Sequence, residues 1–566
     1  MDTQRIIALV IFSASSLLLW EAWQKYNHHS LPAINPITAQ TVTNNATLQN
    51  ATVPTNGVET NNLAAAAIQN TIIVSEAPKS AQRISIQTNA LQVEVDTQGG
   101  DIRKVVLLKH PAQGDANKAF SLMQDKVGAY FIAQSGLLGN NLPNHSALWV
   151  TSGTHFDLGS NDKLEVTLTN TDTVGIAVNK TFVFKRNSYV IDIRYDIQNN
   201  SGVSISPRAY FQFLRDGNPP EGESAGSNPF TGIATFTGPA IYTEAKKFQK
   251  VDFADIEKNK QSHVKESTDG WLGMVQHYFV SAWLPQGNAE RKFFTQKYNT
   301  LYSAGINLPV STIVSGAVGS LTMPLYVGPQ EQEKLMRLAP GLDLVVDYGW
   351  LKVLAYPMFV VLSWIHHILG NWGWTIILFT ILLKLIFFPL NQKAGKSMAH
   401  MKTMTPKMEA LKVRYGDDKM KLNQAMMEMY KTEKINPLGG CLPILVQMPF
   451  FIALYWVLLS AVELRNAPWL GWITDLSTPD PYYVLPFIMG ASMLIQTKLN
   501  PAPADPVQAK VMMVLPVVFS IMFFFFPSGL VLYWTMQNIL GIVQQWYINK
   551  TFGVKDAADA ARQAKR

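Results

Sequence analysis

Cysteine is nearly absent: Cys441 is the one thiol in a chain of 566 residues. A lone thiol excludes an internal disulfide, a cysteine-built zinc site and an N-terminal lipoprotein anchor. Charge is scarce too, at 15% of residues against roughly 25% in an average soluble domain. Yet 48% of residues are hydrophobic while the mean hydropathy is only +0.06. Apolar residues must therefore be concentrated in some stretches and diluted in others. That excludes a simple soluble globule and also a protein made of membrane spans alone. The length leaves room for a large folded domain beside a membrane part.

The net charge of +7 is local. Ten basic and five acidic residues lie between Lys393 and Lys434, and five basic and two acidic residues between Asn549 and Arg566; the rest of the chain carries −1.

Residues 1–26 hold a 15-residue run without charge, Ile6 to Trp20, preceded by Arg5. No small-x-small cleavage site follows, since Trp20, Glu21, Trp23 and Lys25 stand there, so the run reads as an uncleaved anchor. Residues 27–80 are mostly Asn, Thr, Ala, Gln and Pro, with too little apolar surface to offset ordering entropy, and read as a flexible polar tether. Over 81–333 the apolar period is two. Ile84 and Ile86 alternate with Arg83 and Ser85, and Ile191, Ile193, Tyr195 and Ile197 with Asp192, Arg194 and Asp196. Turn signals such as Gly99-Gly100-Asp101 separate the runs, which predicts one large antiparallel sandwich.

After Gly341 charge-free runs dominate. Trp372–Leu390 holds only Lys384, and Cys441–Val462, Tyr482–Thr497, Val511–Phe526 and Gly529–Ile548 hold none. Each is near the length of a span, with prolines 449, 486 and 516 inside three of them. Trp350–Leu369 is ambiguous, because it contains Lys352, His366 and His367. Counting it as a span would put both basic segments outside, against the positive-inside rule. Residues 334–370 therefore read as an interfacial amphipathic helix. The expected fold is an α-helical membrane bundle with six spans, joined to a large all-β outer domain. Five spans form a core over 371–548, with a cytoplasmic helical hairpin at 391–436 and a basic tail at 549–566; both termini lie inside.

Three enzyme-like signals fail on context. Gly395-Lys396-Ser397 lacks the glycine a phosphate loop needs at 390 and follows a predicted helix, not a strand. Gly222-Glu223-Ser224-Ala225-Gly226 lies between proline-rich turns, not at a strand-to-helix elbow. His366 and His367 are adjacent, so on a helix they point to different faces. No catalytic residue, metal or cofactor is expected.

Lys384 is the only charge inside a predicted span, about 9 Å from its cytoplasmic end at 1.5 Å per residue. It either snorkels to the interface or stands in a water-filled cavity, where intramembrane charges mark pathways. Thr380 lies one turn earlier, and Gln447, Ser520, Thr535, Gln537 and Asn538 offer a polar lining from other spans. In the basic loop Met398, Met401, Met404, Met408 and Leu411 recur at helical spacing before Gly416-Asp417-Asp418 breaks the helix. The hairpin's apolar face serves either to pack its two helices together or to bind varied apolar partners.

The run Asn436-Pro437-Leu438-Gly439-Gly440-Cys441-Leu442-Pro443 with Gln447-Met448-Pro449-Phe450 resembles the signature of YidC-type membrane protein insertases (the YidC/Oxa/Alb family). Phe526-Pro527-Ser528-Gly529-Leu530 through Tyr533 and Asn538 resembles the turn between their last spans. Gly349-Trp350 and Asn371-Trp372-Gly373 fit the core entry, and Gly270-Trp271 with Gln276-His277-Tyr278-Phe279 the periplasmic domain of Gram-negative members. The resemblance covers nearly the whole chain outside the tether. It implies a bacterial inner-membrane insertase and chaperone, acting alone or beside the Sec translocon on nascent membrane proteins. The ribosome and membrane lipids are further implied partners, with no sequence-specific nucleic-acid binding.

The resemblance also implies a hydrophilic groove open to cytoplasm and lipid around a central cation, usually arginine. Lys384 stands there, Thr380 matches a groove threonine, and Tyr533 and Trp534 stand where the family pairs two tyrosines. The outer domain would have the super-sandwich fold of sugar-binding proteins. In this reading the hairpin (Met404, Met408, Asp417, Asp418) receives the nascent segment and Lys384 attracts its acidic tail. The apolar span then leaves along Leu445, Met448, Phe451, Met512 and Phe519. A helix of ~20 apolar residues gains on the order of 6–12 kcal/mol on insertion, so no ATP site is needed. The obstacle is the polar flank, at ~2.5–3.5 kcal/mol per charge. A secondary transporter using Lys384 for an anion, or a membrane-anchored glycan-binding protein, are the alternatives.

Overall fold

The computed structural model describes residues 80–112, 115–172, 175–220, 236–392, 405–416, 418–432, 442–499 and 506–563. The predicted anchor, the tether, the Gly222–Gly226 and Gly395–Ser397 signals, Met404, Asp417 and Cys441 lie outside these residues. The chain divides into two compact units, 1–345 and 346–566.

The first unit is the expected β-rich domain. Among the described residues a ten-stranded and a nine-stranded sheet form, antiparallel except where Arg83–Gln87 pairs with His155–Asp157. Alternation produces the core as predicted: Ile84, Ile86, Ile191, Ile193, Tyr195 and Ile197 are all buried. The sheets meet through aromatic side chains. Trp283 of the nine-stranded sheet packs 5.2 Å from Phe211 and 5.5 Å from Phe213 of the other, and Phe279 stacks on Phe120 at 4.2 Å. The strand Arg208–Asp216 is buried on both faces, and on its far side the Tyr210 hydroxyl accepts from the His145 N–H while Gln212 donates to Gln134.

The Gly270-Trp271 motif is structural. Gly270 has φ +96°, and a Cβ there would stand 1.9 Å from the Tyr242 carbonyl oxygen. Trp271 stacks on Tyr242 and donates its indole N–H to the Pro340 carbonyl at 3.0 Å. Gln276–Phe279 forms a hairpin turn in which Gln330 donates to the Phe279 carbonyl at 3.0 Å. Two short helices complete the unit, α1 (Phe253–Glu257) and α2 (Gln332–Leu338).

The second unit is helical: α3 (Lys352–Leu369), α4 (Trp372–Ile386), α5 (Thr405–Tyr415), α6 (Lys419–Thr432), α7 (Leu442–Ser460), α8 (Val484–Leu499), α9 (Pro506–Met522) and α10 (Ser528–Gln563). Each predicted core span thus contains one helix. The last does not stop at Ile548, because Ala-rich sequence carries it through the basic tail to Gln563. Helix α3, read above as interfacial, is the one described helix long and apolar enough to cross a membrane by length and composition; four other apolar helices have 10–17 described residues. It buries Ala355, Met358, Phe359, Leu362 and Ile365 on one stripe against α4 and α7. Its opposite face, with Val353, Val360, Trp364 and Ile368 exposed, is also apolar.

Gly370 ends α3 in the left-handed region (φ +66°), and Asn371 caps α4 by accepting from the Trp374 N–H at 3.1 Å. Helix α8 packs against both α9 and α10, and α10 closes back on α4. The loop 461–483 covers the end where α4, α8 and α10 begin. There buried Asp480 accepts from Trp472 Nε1 and the Leu485 N–H, and Ser528 and Gly529 donate to the Thr478 and Leu476 carbonyls. Trp469 lies so close to Gly373 that a Cβ would stand 2.0 Å from its ring.

Candidate functional site

Toward the other end of the bundle four helices line a half-open cavity of about 210 Å³. Helix α4 contributes Leu383 and Lys384 from its last turn and Phe387 just beyond it, and α7 contributes Gln447, Met448, Phe450 and Phe451. Gln496 enters from α8, and Tyr533, Trp534, Gln537 and Asn538 from one face of α10. The walls are apolar and aromatic with one cation and four carboxamides.

Lys384 is partly buried, and no described carboxylate acts on its ammonium. The negative end of the α4 macrodipole favours a cation at this position. Space for it comes from α10: a Cβ on Gly541 would stand 3.8 Å from Lys384 Nζ and 3.0 Å from Gln496 Nε2. Across the cavity Phe451 meets Trp534 edge-on at 4.4 Å and Tyr533 at 6.2 Å. Phe523 of the α9–α10 turn packs behind Trp534 at 5.1 Å, fixing the aromatic wall. On the polar side Gln447 Nε2 donates to Asn391 Oδ1 at 3.1 Å, and Gln537 Nε2 to Gln447 Oε1 at 3.3 Å. Asn538 donates to Ser492 Oγ at 3.1 Å.

Of the residues singled out from sequence, Lys384, Gln447, Met448, Phe451, Tyr533 and Trp534 come together in this cavity. Thr380 does not line it. Its side chain is buried, and its hydroxyl donates back to the Ile376 carbonyl at 2.6 Å, as threonine does in helix interiors. Met512 and Phe519 are half-buried on α9 away from the lining, and the side chain of Leu445 lies outside the described set. Gln496 was missed; its signal was being the one carboxamide in the uncharged run Tyr482–Thr497.

In the hairpin Met408 is buried where α5 and α6 pack together, while Val413, Met420 and Met427 are exposed. Asp418 is the cap of α6, accepting from the Met420 and Lys421 N–H groups at 3.2 and 3.1 Å. Those bonds hold its carboxyl below the usual range. The two adjacent histidines diverge, His366 stacking on Trp372 and His367 bonding the Ser363 carbonyl. No group of metal-ligating side chains occurs among the described residues.

Two family models match consecutive parts of the chain: the YidC periplasmic domain over residues 83–361 and the 60Kd inner membrane protein over 364–555. A membrane protein insertase YidC from Aromatoleum aromaticum is 52% identical over 552 residues, covering 97% of this chain and 98% of that protein. The protein of the same name from Methylobacillus flagellatus is 47% identical over 557 residues, with 97% and 98% covered. A crystal structure of an active YidC insertase with its first transmembrane domain resolved matches at TM-score 0.40 and 17% identity, covering 83% of this chain and 93% of that one. Neither the transporter nor the glycan-binding alternative gains support from these relatives. With relatives this similar over almost the full length of both partners, the chain belongs to the YidC family of membrane protein insertases.

Proposed function

We infer that the chain is a non-enzymatic inner-membrane insertase and chaperone with a periplasmic β domain, and that the cavity around Lys384 is its substrate groove. The observation that carries this reading is an ammonium with no carboxylate partner among the described residues, set in a cavity whose other polar groups are uncharged. Such a site leaves the cation's attraction available to a guest. An acidic flank entering from the cytoplasmic end meets Lys384 part-way across, where it would otherwise lose hydration and gain nothing. Met448 and Phe451 then offer the adjoining apolar segment a surface leading toward lipid, continued by Met512 and Phe519 of α9. The exposed Met420 and Met427 of the hairpin supply an adaptable first contact. Six spans with both termini in the cytoplasm, and work beside the Sec translocon and the ribosome, complete the reading.

Insertion of a short, acidic-tailed membrane protein into proteoliposomes without ATP tests the role of the cation. Lys384→Ala should slow it about tenfold, the equivalent of ~1.4 kcal/mol, whereas Lys384→Arg should retain most of the rate. Equal rates for Lys384→Ala and the unaltered protein would exclude the electrostatic step.

A further inference from the structure

One polar feature of the cavity is not explained by attraction of acidic side chains: a ladder of carboxamides across three helical elements. Gln447 on α7 and Gln537 on α10 line the cavity, Asn391 beyond α4 stands next to its lining, and the hydrogen bonds of 3.1 and 3.3 Å join the three in series. Gln496 and Asn538 add two more amides to the same cavity. Hydroxyls or charges would wet a cavity equally well. A carboxamide differs from a charge in being neutral, and from a hydroxyl in carrying donor and acceptor on separate N–H and C=O groups, the same pair that a peptide bond carries.

That pair is what a translocating flank needs. Each residue of an extended flank brings one main-chain N–H and one C=O that must be satisfied where water is scarce. Lys384 only donates, so it serves carbonyls and carboxylates but no N–H. The acceptors for main-chain N–H groups must come from elsewhere, and Gln447, Gln496 and Gln537 in the lining each carry a carboxamide oxygen that can accept. The ladder also restrains two of these side chains beforehand, which reduces the ordering cost of binding. Asn391 lies seven residues beyond Lys384, about 10 Å along a helix, the reach of roughly three extended residues.

Resting on the groove reading above, we propose that the Asn391–Gln447–Gln537 ladder, with Gln496, is a binding rail for the main chain of the substrate's polar flank. It acts whatever the flank's side chains, while Lys384 supplies the selection by charge.

The test uses the full-length protein in proteoliposomes and three synthetic single-span peptides: one with an acidic flank, one with a neutral Gly/Ser flank, and one with that flank's glycines replaced by sarcosine, which removes main-chain N–H groups. Gln447→Met with Gln537→Met should slow the acidic and neutral peptides alike, by about fivefold or more. The sarcosine peptide, which brings fewer N–H groups to be satisfied, should insert with the unaltered protein at least as fast as the Gly/Ser peptide and no more slowly with the double variant. Lys384→Ala should slow the acidic peptide alone. Failure of that last result with the others intact would remove the electrostatic reading and leave the rail. A loss in the double variant confined to the acidic peptide would overturn the rail, since the amides would then only position Lys384. No loss in any peptide, or an equal loss with sarcosine, would overturn it as well. Gln537→Met alone, at the end of the ladder, should show a smaller loss of the same pattern, and thermal unfolding in detergent checks that each variant folds.

Discussion

Asp101 and Lys180 carry charges into the β domain that the groove does not use. Both are fully buried, and they come from different sheets. Asp101 Oδ2 accepts from Gln134 at 2.7 Å and faces Arg103 Nη2 at 3.4 Å, while its Oδ1 has no hydrogen-bond partner among the described residues. Lys180 donates to the Gly99 and Ser135 carbonyls at 3.2 Å and lies over the rings of Trp149, Phe182 and Tyr195. Loss of hydration pushes the Asp101 carboxyl up to about 6, against the pull of Arg103 and Lys180, and pushes the Lys180 ammonium down to about 7. The signs follow from linkage. Asp101 holds in the fold a proton that the unfolded chain releases, so its contribution to stability is present below 3.8 and lost as pH rises through about 6. Lys180 releases in the fold a proton that the unfolded chain keeps. Its contribution is present above 10.5 and lost as pH falls through about 7. These two groups therefore support the domain least between pH 6 and 7. In calorimetry of the full-length protein, Asp101→Asn should remove the gain in the β domain's unfolding temperature on acidification from pH 6.5 to 5. Lys180→Met should remove the gain between pH 7 and 9. Parallel curves for variant and unaltered protein would exclude this assignment.

At the scale of the element, Asn371 does two things at one helix end. Its Oδ1 caps α4, and its Nδ2 donates at 3.0 Å to the Pro468 carbonyl of the loop that covers the bundle. Asn371→Ala should cost about 1–2 kcal/mol, the loss of a cap with one further hydrogen bond. Faster amide exchange should appear at the start of α4 and in residues 466–470; Asn371→Asp, which keeps the acceptor, should restore the helix end but not the loop. Such caps were partly readable beforehand, since Asn371-Trp372 stood at the start of an uncharged run. Alternation located strands such as Val190–Asn199, where one face meets water. It was silent for Arg208–Asp216, whose polar residues are buried in a network that only the paired strands create. Hydropathy placed every core helix but not its ends, because the Ala-rich extension of α10 and the start of α9 at Pro506 owe their helicity to propensity. In the groove, charge made Lys384 conspicuous. Gln496 and Asn391 are ordinary in sequence and acquire meaning from the neighbours that folding brings. Thr380 shows the converse: a polar residue one turn from Lys384 whose hydroxyl is consumed by its own helix.

At the scale of the whole molecule the scarcity of cysteine becomes an experimental advantage. The side of the membrane on which each loop lies depends on whether α3, which is long and apolar enough to span, lies in the interface instead. The charge of the segments that follow favours the interface. If α3 crossed the membrane, the segment Lys393–Lys434, with a net +5, and the basic tail would both be carried outside, against the positive-inside bias. Its apolar outer face is consistent with a helix half-sunk in the interface, where lipid contacts one side and the bundle the other. Replacing Cys441 by serine leaves a chain without thiols, into which single cysteines can be placed at exposed positions. Leu470 lies in the covering loop and Met420 on the hairpin, 58% and 83% exposed. In intact spheroplasts a membrane-impermeant maleimide should label Leu470→Cys at once, and Met420→Cys only after permeabilisation. The reverse pattern would make α3 a span and turn the whole core over. The groove would then open away from the cytoplasm, and nascent chains could not reach Lys384 from the side on which they are made.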